Sequence, residues 1–226
     1  MAQPEAAVRD KAVRPAARDQ EDGRPAWAVA RLFPAQGNWT VRDLLRLEAA
    51  RDNEFPLVEL SRGRVEVLPM PTQIHQLILV FFYDLLRSFT SKHAPGVILV
   101  TGMKVRLRGD KKARLRDPDV MYMKAEHASR RHNKYWDGAD LVMEIVSPDP
   151  KSRRRDFEEK ALEYAQAGIP EYWIIDPEQR FIRVLTLRGQ AYELHGEFGP
   201  GTKATSVLLP GFTVSVDAVL APPGSE

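Results

Sequence analysis

The sequence predicts an α/β domain in which a mixed β-sheet is flanked by helices. Apolar runs of strand length alternate with longer segments of helical periodicity, and glycine, proline and aspartate occur in the turns between them. The 226 residues, 43% of them hydrophobic, are enough for one substantial core, so we expect one domain over residues 39–226. Residues 1–38 contain several prolines and charged residues but no apolar periodicity, which predicts a disordered N-terminal tail.

The domain is expected to begin with a helix, a hairpin and a second helix. Thr40 and Asp43 have the spacing of a capping box, which predicts a helix from there to about residue 51. The apolar runs 57–60 and 65–68 are separated by Ser-Arg-Gly-Arg, which predicts a β-hairpin. The apolar stripe over 72–92 predicts a long, largely buried helix.

The middle of the chain is expected to supply the centre of the sheet. Segments 97–107 and 114–123 are predicted strands joined by a turn at 109–112. The apolar run 140–147 predicts a central strand.

One more helix and several strands complete the prediction. A helix over 152–167 ends at Gly168, a residue suited to a left-handed C-cap. Two further strands, at 172–175 and 181–187, are expected around a turn at 176–179. Edge strands are expected at the segments 191–194, 205–208 and 212–216.

Composition excludes several classes of site and location. The chain has no cysteine, which excludes disulfides, thiolate zinc sites and cysteine nucleophiles. The N-terminal segment contains acidic residues and lacks a continuous apolar stretch, and no run approaches the roughly 18–20 apolar residues of a membrane span. We therefore expect a cytoplasmic protein without a membrane anchor. The net charge of +2 is too small to identify a nucleic-acid binder by itself.

Two acidic residues are candidates for a metal site. Glu144 lies within the apolar central strand, and strand alternation places it on the same face as Val142 and Val146. A buried carboxylate there needs a partner, and a bound cation is one. Asp119 heads an apolar strand that can neighbour this one, so the two carboxylates can converge on Mg²⁺ or Mn²⁺. The alternative is that Asp119 is a turn residue and Glu144 a structural ion-pair partner.

Lys160 is the candidate cation beside these acids. It lies next to the inward stripe that Phe157, Ala161 and Tyr164 form on the predicted helix, so its side chain can point toward the sheet. The alternative is an exposed ion pair with Asp156 at the i,i+4 spacing.

Together these residues resemble the Uma-two family of restriction endonucleases, members of the PD-(D/E)XK nuclease superfamily. The resemblance covers roughly residues 40–190 and rests on the order and spacing of several short motifs. These motifs are Glu59-Leu60-Ser61-Arg62-Gly63-Arg64-Val65, His75-Gln76, Pro118-Asp119-Val120, Glu144-Ile145-Val146-Ser147-Pro148, Asp156 with Lys160 and Tyr164, and Ala167-Gly168-Ile169-Pro170-Glu171-Tyr172-Trp173.

The resemblance implies a restriction-endonuclease-like fold and a role for four residues. Asp119 and Glu144 correspond to the metal-binding acids, Glu59 to a third carboxylate that binds a second ion or hydrogen-bonds a metal-bound water, and His75 to a neighbouring residue of the catalytic site. From the residues alone, Glu59 can equally be a solvated hairpin residue, and His75 can have a structural role.

One position departs from the superfamily pattern. Val146 stands where the superfamily has a lysine two residues after the second acid. We expect Lys160, on the following helix, to replace that lysine.

The implied function is Mg²⁺- or Mn²⁺-dependent hydrolysis of phosphodiester bonds by a DNA endonuclease. The alternative is a catalytically inactive nucleic-acid-binding or assembly module on the same fold. The resemblance and the need to cut two strands also suggest a homodimer. Basic residues beside the site are expected to contact the phosphate backbone, although they can also form a solvated charged face. These residues are Lys151, Arg153, Arg154 and Arg155.

Overall fold

The computed structural model of the chain describes residues 34–50, 57–108 and 114–225. Residues 1–33 of the predicted tail and the turn predicted at 109–112 lie outside these ranges. Within residues 34–38, which the sequence assigned to the tail, Gly37 N donates to Gly63 O at 2.7 Å and Gln36 Oε1 accepts from Val65 N at 2.9 Å. Gln36 and Gly37 therefore contact the first hairpin.

The described residues form helices and strands in an order close to the predicted one. The α-helices are α1 Val41–Glu48, α2 Gln73–His93, α3 Pro150–Arg154, α4 Ala161–Gln166 and α5 Val216–Leu220, with a 3₁₀ segment at Ala125–Arg130 and a π-helical turn at Arg155–Lys160. The strands are β1 Val58–Ser61, β2 Arg64–Val67, β3 Gly96–Val100, β4 Lys104–Leu107, β5 Arg114–Arg116, β6 Val120–Lys124, β7 Tyr135–Asp137, β8 Leu141–Ile145, β9 Glu171–Asp176, β10 Phe181–Arg188, β11 Ala191–Phe198, β12 Lys203–Thr205 and β13 Thr213–Ser215.

The strands form two main sheets. One sheet has the order β2-β1-β5-β4-β7, the other has the order β11-β10-β9-β8-β6-β3, and β12 and β13 form a separate pair. The β8–β9 and β4–β7 pairings are parallel, whereas the other pairings are antiparallel, so both main sheets are mixed. The predicted α/β class is confirmed, and the strands are divided between two sheets instead of one.

Each of the two long strands predicted at 97–107 and 114–123 is broken into two. Gly102, with φ of 97°, turns the chain between β3 and β4, and Pro118 interrupts the chain between β5 and β6. The two breaks lie together, because Gly102 N donates to Asp117 Oδ1 at 2.8 Å. Here the chain passes from one sheet to the other, so Asp119 lies at the junction of the sheets.

The predicted long helix is confirmed as α2, which packs on the six-stranded sheet. The Thr72 hydroxyl caps its first turn by accepting from His75 N at 3.3 Å. Ile78 and Phe82 are fully buried in the larger hydrophobic core, where the Phe82 ring meets Trp173 edge-on at 6.1 Å. The helix thus covers one face of this sheet and brings His75 to its edge.

The first helix, α1, packs on the five-stranded sheet. The predicted capping box is present, because Thr40 Oγ1 accepts from Asp43 N and Asp43 Oδ2 accepts from Thr40 N at 3.0 Å. The helix ends at Glu48, earlier than expected, and residues 51–56 lie outside the described ranges. Its Leu44 packs against Leu60 of β1 in a third core cluster.

The helix predicted at 152–167 is a composite of α3, the π-helical turn and α4. It begins after Asp149, whose carboxylate accepts from Ser152 N at 2.8 Å, and it ends at Gly168, where φ is 76°. Tyr164 packs with Val142 and other residues in a core cluster on one face of the six-stranded sheet. The predicted start and C-cap are therefore close to the observed ones, but the π-helical turn was not predicted.

The C-terminal strands match the prediction for β9 and β10, which form an antiparallel pair around the expected turn. Strand β11 extends to Phe198, whereas β12 and β13 pair with each other and not with either main sheet. No helix within the described ranges combines the length and apolar character needed to cross a bilayer.

Candidate active site

A cavity of about 70 Å³ lies where the two sheets meet the composite helix. Its walls include His75, Asp119, Glu144, Arg155 and Lys160. Four of the five residues predicted to be catalytic therefore come together in one place, and we refer to this space as the acidic cavity. Glu59, the fifth, does not contribute to its wall and lies behind Lys160.

Asp119 joins the sheet junction to the end of β8. Its Oδ2 accepts from Ile145 N at 2.7 Å and lies 3.2 Å from His75 Nε2. Because Ile145 directly follows Glu144, this bond holds the two acids side by side. The antiparallel pairing of Val120 with Met143 fixes the same arrangement in the backbone.

Glu144 projects from the middle of the sheet onto the face that also carries Val142, as strand alternation predicted. Its Oε1 accepts from Tyr164 Oη at 2.6 Å, and its Oε2 lies 2.8 Å from Lys160 Nζ. The side chain is almost completely enclosed. Burial, opposed by Lys160 but reinforced by the carboxylate of Asp119, raises the pKa of Glu144 to about 8.

Lys160 is the central cation of the site, with only 2% of its surface exposed. Its Nζ lies 2.8 Å from Glu144, 3.4 Å from Glu59 and 3.5 Å from Asp156. Burial lowers the pKa of Lys160, but the surrounding carboxylates outweigh that effect and raise it overall, so the side chain stays charged. The i,i+4 pair with Asp156 exists, but it is buried and not exposed.

Glu59 is fully buried within β1, so it is not a solvated hairpin residue. Its Oε2 accepts from Arg116 Nη1 at 2.7 Å and its Oε1 accepts from Asp117 N at 3.0 Å. Burial raises the pKa of Glu59, but Lys160 and Arg116 lower it more, and the net effect is a strongly lowered pKa. Its carboxylate is therefore ionised and engaged on both oxygens.

The sequence prediction missed the buried ion network behind the cavity. Arg116 is fully buried, and its Nε donates to Glu163 Oε2 at 2.8 Å while its Nη1 lies 3.3 Å from Glu66 Oε2. The network also includes Glu59, so it connects β1, β2, β5 and α4. One sequence pattern could have indicated this network. Arg114 and Arg116 alternate with Leu115 in a short buried strand, so both arginines need buried acidic partners.

His75 lies in the first turn of α2, with 12% of its side chain exposed. Burial lowers the pKa of His75, but its contact with Asp119 raises it more, so the net shift is upward. Its other ring nitrogen, Nδ1, is buried without a hydrogen-bond partner in the described residues. His75 therefore holds Asp119 in place through Nε2, while its Nδ1 makes no hydrogen bond within the described residues.

The four basic residues predicted to contact nucleic acid have different surroundings. Arg155 lines the acidic cavity. Arg153 is paired with Asp176, with Nη2 and Oδ2 2.6 Å apart. Arg154 is mostly exposed and Lys151 is half-buried. Arg155 is thus the member of this group closest to the acids.

The residues of the acidic cavity fit a divalent cation held by two carboxylates and water. Within the described ranges, no group of three or more histidine, aspartate or glutamate side chains is arranged to enclose a metal. Mg²⁺, however, usually keeps several waters and needs one or two protein carboxylates. Burial is the main cause of the raised pKa of both Glu144 and Asp156, and Lys160 opposes it, so ionising either acid costs free energy that further positive charge would offset. A divalent ion would supply the missing positive charge.

Fold and site together define an α/β protein with a buried lysine beside three carboxylates at the junction of two sheets. The chain belongs to the Uma2 family, which is described as "Putative restriction endonuclease" and whose family model matches residues 41–217. The predicted family is thereby confirmed.

A solved structure supports the same fold. It is described as a "putative nuclease belonging to DUF820" from Anabaena variabilis ATCC 29413, and it aligns with a TM-score of 0.63. The alignment covers 80% of this chain and 97% of that chain at 19% identity, a level at which the likeness concerns the fold alone. The predicted restriction-endonuclease-like fold is confirmed. The comparison with curated proteins gave no match.

Proposed function

We propose that the chain is a metal-dependent nuclease that hydrolyses phosphodiester bonds in DNA. The observation that supports this most strongly is the meeting of Asp119, Glu144 and Lys160 in one cavity, although they are far apart in the sequence. The Uma2 family is described as a restriction endonuclease family and the similar solved structure as a nuclease, and both descriptions agree with this proposal.

Asp119 and Glu144 would hold the metal ion. When bound, Mg²⁺ or Mn²⁺ would polarise a phosphate oxygen and lower the pKa of a water molecule. His75 contributes by holding Asp119 through Nε2 at 3.2 Å, and Tyr164 contributes by holding Glu144 through its hydroxyl at 2.6 Å. Both carboxylates are therefore fixed before an ion or a substrate arrives, which reduces the reorganisation needed for catalysis.

Lys160 would stabilise the negative charge that develops on the phosphate. Its ammonium group is enclosed and charged, and it lines the cavity next to Glu144. An electrostatic contact of this kind is stronger in a buried site than in water. Val146, at the position of the usual lysine, is buried among apolar residues and takes no part in this step.

Glu59 would act as a positioning residue instead of a third metal ligand. Its two oxygens are engaged by Arg116 and by the backbone of Asp117, and Lys160 Nζ lies 3.4 Å away. A carboxylate at this place keeps Lys160 charged and restricts the position of its ammonium group. We infer that its role is carried out through Lys160.

The expected substrate contacts begin at the cavity and continue on the surface. Arg155 lines the cavity and would contact the scissile phosphate, whereas Lys151 and Arg154 would attract the flanking backbone. Such contacts carry no sequence information. The homodimer remains a prediction.

Plasmid cleavage tests the proposed function. Supercoiled DNA is incubated with the protein and Mg²⁺ or Mn²⁺, with a chelator, and with the variants Asp119→Asn and Glu144→Gln. We expect cleavage by the wild type with metal only, and loss of cleavage in both variants. Glu158→Gln, an exposed change next to the same site, is the matched control and should cleave like the wild type.

A second candidate function is an inactive nucleic-acid-binding module, which the apolar Val146 favours. Binding of the same DNA without cleavage under any divalent metal would support that function and reject the nuclease. Unchanged cleavage in Glu144→Gln would remove Glu144 from the mechanism.

A further inference from the structure

A second cavity, of about 530 Å³, adjoins the acidic cavity. The two share His75, Ile145, Ser147 and Pro69 in their walls. A molecule whose phosphate occupies the acidic cavity can therefore extend directly into the second one. We call this second space the apolar groove, and its volume lies within the range of about 300–1,000 Å³ that is typical of small-molecule sites.

The walls of the apolar groove are mainly aliphatic. They include Met70, which is 71% exposed and is thus a large apolar side chain open to solvent. The other apolar walls come from residues Pro69, Ile74, Ile145, Val146, Pro148, Pro177 and Leu220. An exposed apolar surface next to a polar site is typical of ligand recognition.

The charges of the apolar groove differ from those of the acidic cavity. Among the described residues that wall the groove, none is lysine or arginine, and two are the acids Asp149 and Glu178. Apart from His75 these walls offer a phosphate no cationic side chain, so we expect the sugar-phosphate backbone not to continue along this groove. A neutral, flat group with apolar faces fits it better, because its faces can contact the aliphatic walls.

We propose that the apolar groove receives the base of the nucleotide adjoining the scissile phosphate. This inference rests on the proposed nuclease function and deepens it, because it specifies the form of the nucleic acid. A base in a duplex is stacked and paired, and placing it in a side pocket requires that it leave the stack, at a cost in free energy. The preferred substrate is therefore an unpaired nucleotide in a single strand, a flap or a frayed end.

Two chromogenic esters test whether a base is recognised. Thymidine 5′-(4-nitrophenyl phosphate) carries a base, and methyl 4-nitrophenyl phosphate does not; both release 4-nitrophenolate when water attacks phosphorus. We expect kcat/KM with Mn²⁺ to be about tenfold higher for the thymidine ester, as contacts to one base commonly provide. Equal values for the two esters, and also for the thymidine 3′ ester, would overturn the inference without affecting the nuclease proposal.

Met70→Asn tests whether the apolar groove provides that preference. The change removes an apolar wall without adding charge, and we expect the ratio of kcat/KM for the two esters to fall by about fivefold. Leu194→Asn is the matched control, because Leu194 is also a strongly exposed aliphatic side chain, at 59%, but lies on β11 away from the groove. This control should keep the wild-type ratio. A ratio unchanged in Met70→Asn would show that the base binds elsewhere.

A binding measurement keeps the inference testable even if no ester is hydrolysed. Thymidine is titrated into the full chain while the ¹³C-methyl signal of Met70 is followed by NMR. A saturable shift of this signal, absent for ribose, supports base binding independently of catalysis, whereas no shift at millimolar thymidine overturns it. If Met70 is already shielded from a soluble paramagnetic probe without thymidine, another part of the chain or a second copy covers the groove, and the inference also fails.

Discussion

Replacing Glu144 with glutamine should change the pH dependence of stability. Burial and neighbouring acids raise the pKa of Glu144 from 4.5 to about 8. Between these pH values the folded protein holds a proton that the unfolded chain releases, so the folded state loses stability as the pH rises through this window. Glutamine has no titrating proton, so the free energy of unfolding of the variant should not fall through this pH window for this reason.

The magnitude follows from the two pKa values of Glu144. Each tenfold change in proton affinity corresponds to about 1.4 kcal/mol, so a rise from 4.5 to about 8 corresponds to about 5 kcal/mol at most. We therefore expect the difference in free energy of unfolding, variant minus wild type, to increase by about 3–5 kcal/mol between pH 4.5 and pH 9. Lys160 stays charged over this window because its pKa is raised, so it does not add a titration of its own.

Urea unfolding in the presence of a chelator measures this difference. The comparison with the wild type cancels the other titrating groups to first order. Glu158→Gln, an exposed change in the same helical segment, should differ from the wild type by no more than about 0.5 kcal/mol at every pH. Added Mn²⁺ should reduce the loss of wild-type stability, since the ion replaces the proton between the acids. A Glu144→Gln difference that is constant with pH would refute the electrostatic description of the cavity.

Four further measurements test other parts of the structure. Lys160→Met leaves buried carboxylates without their cation and should lower the free energy of unfolding by about 3–5 kcal/mol in urea; a loss below about 1 kcal/mol would contradict the buried network. Phe82→Ala opens a cavity against Trp173 and should cost about 3–5 kcal/mol by the same method, and a smaller cost would mean that α2 is not packed as described. Thr40→Ala should cost about 1 kcal/mol through loss of the helix cap, and a neutral change would show that the capping box contributes nothing. Mn²⁺ affinity, measured by calorimetry, should rise by about tenfold per pH unit below pH 8 because the ion competes with the proton of Glu144; an affinity independent of pH would argue against this carboxylate as a ligand.

Elements with strong local signals could be predicted from the sequence. The helix α2 has an apolar stripe over its whole length, and the strands β9 and β10 surround a turn with its own sequence pattern. Thr40 marks the start of α1 by its hydrogen bonds with Asp43, and Gly168 marks the end of the composite helix by its positive φ. Both features depend only on nearby residues. The information for each of these features lies within a few residues of the chain.

The division into two sheets could not be predicted in the same way. Segments 97–107 and 114–123 have the apolar character of continuous strands, but both are broken where the chain crosses between sheets. Gly102 and Pro118 mark the breaks, yet each is also tolerated in an edge strand or a bulge. The choice is decided by long-range packing, since β3 and β6 pair in one sheet and β4 and β5 in the other.

The candidate site was predictable in its members but not in their roles. Asp119, Glu144 and Lys160 could be selected because each is a charged residue beside an apolar pattern. Glu59 could not be assigned a role, because its main partner, Arg116, is 57 residues away in the chain. Only the folded structure shows that Glu59 contacts Lys160 from outside the wall of the acidic cavity, where it is less suited to binding a metal than Asp119 and Glu144.

The position of Lys160 shows why spacing along the chain is a weak guide to this site. The required feature is an ammonium group beside Glu144, and Lys160 provides it at 2.8 Å from a neighbouring helical segment. A lysine at position 146 would replace a valine that packs within an apolar cluster and walls the apolar groove. Placing the cation on the helix lets Glu59 and Asp156 contact it, while the described walls of the groove beside the strand contain no lysine or arginine. Under the proposed function, Lys160 would supply the charge that the usual lysine supplies, and Val146 adds to the apolar surface next to the site.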